Sequence, residues 1–103
     1  MRIVEPGMAA AARRVPLEKP PSKADDAKVL HQQAMMRERI GAHIKRLRTE
    51  AQLSLRAFAM RADISPSYLS ELERGQRSVT IDLLVRIGYH LDTSPADFLS
   101  QEG

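Results

Sequence analysis

The sequence predicts an all-α protein, a compact domain of five short helices preceded by an N-terminal arm. Apolar residues recur every three or four positions from Ile40 onward, and no segment alternates apolar and polar residues as a strand would. Serine or threonine stands immediately before four of these apolar stretches, where its hydroxyl can cap the first turn of a helix.

The N-terminal third divides into two parts. Residues 1–23 contain four prolines and no periodic apolar pattern, so we expect a flexible arm. Residues 24–37 lack glycine and proline, and Asp25 and Asp26 suit the first turn of a helix. We therefore predict a helical extension there, which either continues into the next helix, packs on the core or a partner, or frays. Residues 38–100 form the domain itself.

Helix one follows from the spacing of Ile40, Ile44 and Leu47 and ends near Ala51. Ser54 then precedes helix two, Leu55–Ala62. Its inward face consists of Phe58, Ala59 and Ala62.

Helix three begins with Ser65 as a cap and Pro66 at the first helical position, where no backbone hydrogen bond is lost. It runs to Arg74, buries Leu69 and Leu72, and ends at Gly75.

Thr80 caps helix four, Ile81–Leu91, whose buried face carries Leu84, Ile87 and Leu91. Ser94 starts helix five, with Asp97 placed to complete a capping box.

Helices two and three are joined by only about three residues, and the apolar Ile64 lies inside this joint. Ile64 can attach the joint to the core and hold helix three at a steep angle to helix two. This arrangement is typical of a helix-turn-helix, in which the second helix presents its outer face to a DNA major groove. Ser67, Tyr68, Ser70 and Glu71 lie on that outer face.

The run Ile64-Ser65-Pro66-Ser67-Tyr68-Leu69-Ser70-Glu71-Leu72-Glu73-Arg74-Gly75, with Arg77 beyond it, resembles the lambda-repressor-like (Cro/C1, XRE) helix-turn-helix family. The resemblance covers roughly Arg39–Leu99. It implies a five-helix domain that binds double-stranded DNA as a transcriptional regulator. It also implies a structural ion pair between Arg48, near the end of helix one, and Glu73.

The DNA-contacting positions that the resemblance and the residue types indicate are Ser54, Arg56, Ser65, Pro66, Ser67, Tyr68, Ser70, Glu71, Arg74 and Arg77. Glu71 has two interpretations: it accepts a hydrogen bond from a cytosine amino group, or it is a surface charge that repels phosphate. Arg77 is a candidate for a guanine or a minor-groove phosphate contact.

Three positions depart from the family pattern. Leu55 replaces a common glutamine that braces the DNA backbone, so Arg56 or Ser54 would supply the phosphate contact instead. Asp63 replaces the usual glycine of the turn, and aspartate tolerates a left-handed backbone better than most residues. Pro66 replaces a glutamine that often reads a base, so one base contact is lost.

A single small domain buries little surface on DNA, so we expect a homodimer on a palindromic operator. The resemblance implies that Tyr89, Phe98 and Leu99 form the dimer interface. The alternative is a DNA-binding antitoxin or adaptor, in which residues 1–37 fold on a protein partner.

Charge and composition are compatible with this reading. Residues 37–61 carry a net charge of +5 and residues 82–103 one of −3, so one face can approach phosphates, although a solvated charged surface would look similar. The absence of cysteine excludes disulfides and thiolate chemistry and suits the cytoplasm, and no apolar run is long enough for a membrane span. His31, His43 and His90 lie too far apart for a metal site. We expect no enzymatic activity, cofactor or metal.

Overall fold

The computed structural model describes residues 22–99, which form five α-helices and no β-strand. The helices are α1 (Lys23–Glu50), α2 (Leu55–Ala62), α3 (Pro66–Glu73), α4 (Ile81–Leu91) and α5 (Pro95–Phe98). The predicted all-helical fold is confirmed, and the bounds of α2 and α4 agree with those expected from the sequence. The predicted arm lies outside the described residues except for its last two positions, Ser22 and Lys23.

The predicted helical extension and helix one are a single helix of 28 residues. Ser22 caps it: its hydroxyl accepts a hydrogen bond from the Asp25 amide, and the Asp25 carboxylate accepts one from the Ser22 amide. This capping box starts the helix inside the segment that we had assigned to the arm. Nothing interrupts the helix afterwards, because no proline or cluster of turn residues separates the two predicted parts.

The core lies where the second half of α1 packs against α3, α4 and α5, while α2 packs on α3 and α4. Its buried residues include every inward-facing position predicted for α2 and α3, and Leu91 alone of the predicted α4 face remains partly exposed. The buried hydrophobic residues are Ile40, Ile44, Phe58, Ala59, Ala62, Leu69, Leu72, Leu83, Leu84, Ile87 and Phe98.

The four predicted caps are present, but the capping box at α5 is not. Ser54, Ser65 and Thr80 each accept a hydrogen bond from the amide three residues ahead. Ser94 instead accepts from the Ala96 amide at 3.2 Å. The Asp97 carboxylate accepts from the Thr93 hydroxyl at 3.1 Å rather than from the backbone of Ser94, so the predicted box was wrong.

Gly41 of α1 lies directly against the backbone of the last turn of α3. A Cβ atom at this position would overlap the carbonyl oxygen of Leu72 and would lie 2.7 Å from that of Glu73. The absence of a side chain therefore sets how closely α1 and α3 can pack.

Arg48 joins three segments of the chain through one guanidinium group. Its Nε and Nη2 atoms donate to the two carboxylate oxygens of Glu73 at 2.6 and 3.0 Å, and Nη1 donates to the Leu53 carbonyl oxygen at 2.8 Å. Both side chains of the ion pair are largely buried, with 12% of Arg48 and 5% of Glu73 exposed. The hydrogen bond to Glu73 raises the pKa of Arg48. This contact fixes the end of α1 and the following loop to the end of α3.

His43 of α1 is the one buried polar residue in the core that the described residues form. Its ring meets that of Phe98 edge-on, with 5.3 Å between the ring centroids. Burial, and the nearby positive charge of Arg46, lower the pKa of His43 below its ordinary value. The neutral imidazole therefore serves as an aromatic filler between α1 and α5.

Candidate nucleic-acid interface

Helices α2 and α3 are joined by Asp63, Ile64 and Ser65 in a tight turn. Asp63 has a left-handed backbone (φ 61°), so the aspartate adopts the conformation for which the family commonly uses glycine. Ile64 is half-buried against the core, and its amide donates to the Ala59 carbonyl oxygen at 3.0 Å. These contacts fix the start of α3 to the core and to the end of α2, and they leave Ser67 of its first turn exposed.

The first turn of α3 presents small polar groups. The Ser65 hydroxyl accepts from the Tyr68 amide at 3.0 Å, so its first task is to cap the helix. Ser67 is exposed, and its hydroxyl lies 3.4 Å from that of Ser65. Pro66 and Ser70 are half-buried. Of these predicted contact residues, Ser67 offers its side chain most openly to a ligand.

Three other predicted contact residues, Tyr68, Glu71 and Arg77, form a cluster beside α3. Arg77 Nε donates to Glu71 Oε1 at 2.7 Å, and the Arg77 guanidinium carbon lies 5.4 Å from the centroid of the Tyr68 ring. The three residues were predicted individually from the sequence, but their clustering was not. The signal for it is the Gly75 turn, because this turn reverses the chain and returns Arg77 to the helix that it has just left.

The turn itself is a Schellman motif. Gly75 has a positive φ of 75°, its amide donates to the Leu72 carbonyl oxygen at 3.1 Å, and the Gln76 amide donates to that of Glu71 at 2.8 Å. A Cβ at Gly75 would also lie 2.9 Å from the Cα of Glu38. Glycine is therefore required here both by the backbone conformation and by the neighbouring helix.

The candidate phosphate contacts lie at the start of α2 and at the end of α3. Ser54 is exposed and caps α2 by accepting from the Ala57 amide at 3.0 Å, and Arg56 is exposed in the first turn of that helix. Arg74 is exposed at the end of α3, where its Nη2 donates to Gln76 Oε1 at 3.3 Å. Leu55, in place of a polar bracing residue, is half-buried and packs against the core.

The expected dimer interface requires one correction. Phe98 is completely buried within the chain, so its side chain belongs to the core and is not available to line an interface. Tyr89 and Leu99 remain exposed, at 80% and 45%. Ile81 and Val85 are also exposed and precede Tyr89 at intervals of four residues, which places the three on one face of α4. Ile81 and Val85 were not predicted from the sequence, although their four-residue spacing to Tyr89 is a signal for this face.

A second apolar surface lies on the first half of α1, where Val29, Leu30, Met35 and Met36 are exposed. A cleft of about 300 Å³ separates this half of α1 from the loop before α4, with Met36, Ile40 and Val79 among its lining residues.

Residues 22–99 contain no group of three His, Asp or Glu side chains placed to hold a metal ion. Over the same range, no helix combines the length and apolar character needed to cross a membrane.

Comparison with known proteins assigns the chain to a known family. A family model described as a helix-turn-helix domain matches residues 39–99. The HTH-type transcriptional regulator RamB of Mycobacterium tuberculosis is 34% identical over 68 residues, which are 66% of this chain and 14% of RamB. The chain therefore spans only a small part of this longer relative.

Solved structures agree with this relationship. The clp gene regulator ClgR of Corynebacterium glutamicum has a TM-score of 0.60 and 41% identity, with 62% of this chain and 82% of that chain covered. SinR, the master regulator for biofilm formation, solved in complex with DNA, has a TM-score of 0.57 and 35% identity. That alignment covers 59% of this chain and 98% of SinR.

Proposed function

The chain belongs to the helix-turn-helix domain family, and on that premise we propose that it is a sequence-specific DNA-binding transcriptional regulator that inserts α3 into the major groove. The observation that carries the proposal is the exposed first turn of α3. Its orientation is set by Ile64 at one end of the helix and by the Arg48–Glu73 ion pair at the other. A helix held at both ends can present side chains to base edges without losing further conformational entropy.

The proposed contacts divide into two groups. Ser67 and Arg77 read base edges, Pro66 packs beside them, and the cap Ser65 and the half-buried Ser70 border the groove. Arg56 and Arg74, with Ser54 at the start of α2, bind phosphates and set the register of the domain on the duplex. The names of RamB, ClgR and SinR, all regulators, support this function. A regulator of transcription would act in the cytoplasm and would not be an enzyme.

We expect Ser67→Ala and Arg74→Ala to have different effects on DNA binding. Loss of the Ser67 hydroxyl removes a base-edge contact. The binding free-energy preference for one base over the others at one position of the site should therefore change by about 1 kcal/mol. Arg74→Ala removes one phosphate contact, so it should weaken binding to all sequences alike. It should also reduce by about 1 the magnitude of the slope of the logarithm of the binding constant against the logarithm of the salt concentration. Selection from a random DNA pool, followed by titrations at two salt concentrations, measures both effects.

Uniform weakening by Ser67→Ala would contradict the assignment of α3 as the reading helix. If the unaltered protein has no salt-sensitive affinity for DNA, the proposal as a whole fails.

We further propose that the protein binds a palindromic site as a homodimer through the exposed face of α4. The face consists of Ile81, Val85 and Tyr89, with Leu99 of the α5 end also exposed. Three large side chains of mainly apolar surface in a row on the solvent-facing side of a helix are typical of a protein interface. A two-fold axis there would place two reading helices on half-sites about one DNA turn, roughly 34 Å, apart.

Val85→Glu is expected to raise the dimer dissociation constant at least about tenfold, because it buries a charge in the interface. Leu30→Glu, the same kind of change on the exposed face of α1, is the control and should leave dimerisation unchanged. Sedimentation equilibrium measures both constants. If Leu30→Glu disrupts the dimer and Val85→Glu does not, the interface lies on α1 instead of α4.

A second candidate function is that of a DNA-binding antitoxin or adaptor. The observation that favours it is the exposed apolar surface on the first half of α1, formed by Val29, Leu30, Met35 and Met36. Residues 1–37 would then bind a protein partner while α3 binds DNA. If Leu30→Glu changes neither DNA affinity nor dimerisation, this surface remains available for such a partner.

A further inference from the structure

Tyr68, Glu71 and Arg77 form a connected unit on the exposed side of α3. The Arg77 side chain is 57% exposed and that of Glu71 is 34% exposed, so the ion pair between them is accessible to a ligand. The guanidinium group also lies over the ring of Tyr68, which packs on the core and is thereby fixed in place. Arg77, the longest of the three side chains, is contacted by the other two.

The geometry of the ion pair decides which atoms of Arg77 remain available. Glu71 accepts from Nε, at 2.7 Å, and Arg77 makes no other hydrogen bond within residues 22–99. One N–H of Nη1 and one of Nη2, at the end of the planar guanidinium, are thereby left as a parallel pair of donors. The major-groove edge of guanine offers two acceptors, O6 and N7, which match such a pair.

The same contact argues against direct base reading by Glu71. One Glu71 carboxylate oxygen already accepts a hydrogen bond from Arg77. The negative charge of the carboxylate and the positive charge of the Arg77 guanidinium partly offset each other. A carboxylate without this partner would repel the DNA backbone. Paired with Arg77, it belongs to a nearly neutral unit in which the end-on N–H groups of the guanidinium remain free to donate.

We propose that Tyr68, Glu71 and Arg77 act as one reading unit that selects guanine. Arg77 donates to guanine O6 and N7, Glu71 is a positioning residue that fixes the Arg77 side chain through Nε, and Tyr68 supports the guanidinium plane. Holding a long side chain in its bound conformation lowers the entropy lost on binding. This inference rests on the proposed function, because it requires α3 to lie in the major groove.

The test is a double-mutant cycle read out as base preference. Selection from a random DNA pool is carried out with the full chain, with Glu71→Ala, with Arg77→Ala and with both changes together. Arg77→Ala should lower the preference for guanine at one position about tenfold. Glu71→Ala should lower the preference at that same position about threefold, and it should have no further effect once Arg77 is absent.

Glu71→Gln separates positioning from direct reading. The glutamine side-chain oxygen can still accept from Arg77 Nε, so a positioning role predicts that guanine remains preferred at the same position. A glutamine that contacted a base directly would favour adenine. Two results would overturn the reading unit. One is a switch of the preferred base to adenine in Glu71→Gln. The other is a loss of base preference in Glu71→Ala that occurs at a different position of the site and is independent of the loss caused by Arg77→Ala.

These outcomes are distinguishable from failure of the proposed function. If the unaltered chain selects no sequence, both the function and the reading unit are overturned. If it selects a site but the cycle is additive, only the reading unit is. Thermal unfolding followed by circular dichroism should give nearly the same midpoint for all four proteins, since the ion pair lies at the surface and contributes little to stability.

Discussion

Glu73→Ala is expected to lower the free energy of unfolding by about 3 kcal/mol. The change removes the carboxylate that binds Arg48 Nε and Nη2, and the guanidinium then stays largely buried without its partner. The cost arises mainly from this uncompensated charge, because breaking a buried pair on one side is worse than removing both partners. Urea unfolding monitored by circular dichroism measures the difference.

Glu71→Ala is the matched control. It removes the same type of side chain from the same helix, but its partner Arg77 is exposed. An exposed ion pair contributes at most about 1 kcal/mol, so this variant should unfold almost as the parent does. The double change Arg48→Met with Glu73→Leu should recover part of the lost stability, since apolar side chains can occupy the space of a buried pair. Equal effects of Glu73→Ala and Glu71→Ala would contradict the structural role of the buried pair.

Gly41→Ala is the second change for which we expect a large effect. The new methyl group would overlap the Leu72 carbonyl oxygen and approach that of Glu73, and both are backbone atoms that cannot rotate away. Helices α1 and α3 would have to separate, at a cost of about 2–3 kcal/mol typical of an overpacked core. This loss outweighs the gain of about 1 kcal/mol that alanine brings within a helix.

Ala42→Gly is the reverse substitution at the neighbouring exposed position and serves as the control. It should lower stability by only about 1 kcal/mol, because it removes a good helix former without changing any packing. Thermal and urea unfolding compare the two variants. A Gly41→Ala protein that is as stable as the parent would show that α1 and α3 do not need this close contact. Reduced DNA affinity of the folded fraction would further connect the packing of α3 with its proposed reading role.

Local sequence determined where most helices begin and end. Ser54, Ser65 and Thr80 cap their helices as expected, and Asp63 adopts the left-handed turn. A cap depends on hydrogen bonds between residues two or three apart, so the residue types alone are sufficient to predict it. The inward faces of α2 and α3 followed from the spacing of their apolar residues, which is also a local property of the sequence. The family pattern indicated the contact between Arg48 and Glu73.

Contacts between distant residues were decided only by the tertiary structure. Phe98 was assigned to an interface but is completely buried, because α5 folds back onto α1 beside His43. Arg77 meets Glu71 and Tyr68 only because the Gly75 turn reverses the chain. The sequence by itself thus determined the helices, the turn and the family. The tertiary structure decided which side chains remain exposed and which are held together, since exposure depends on what the rest of the chain covers.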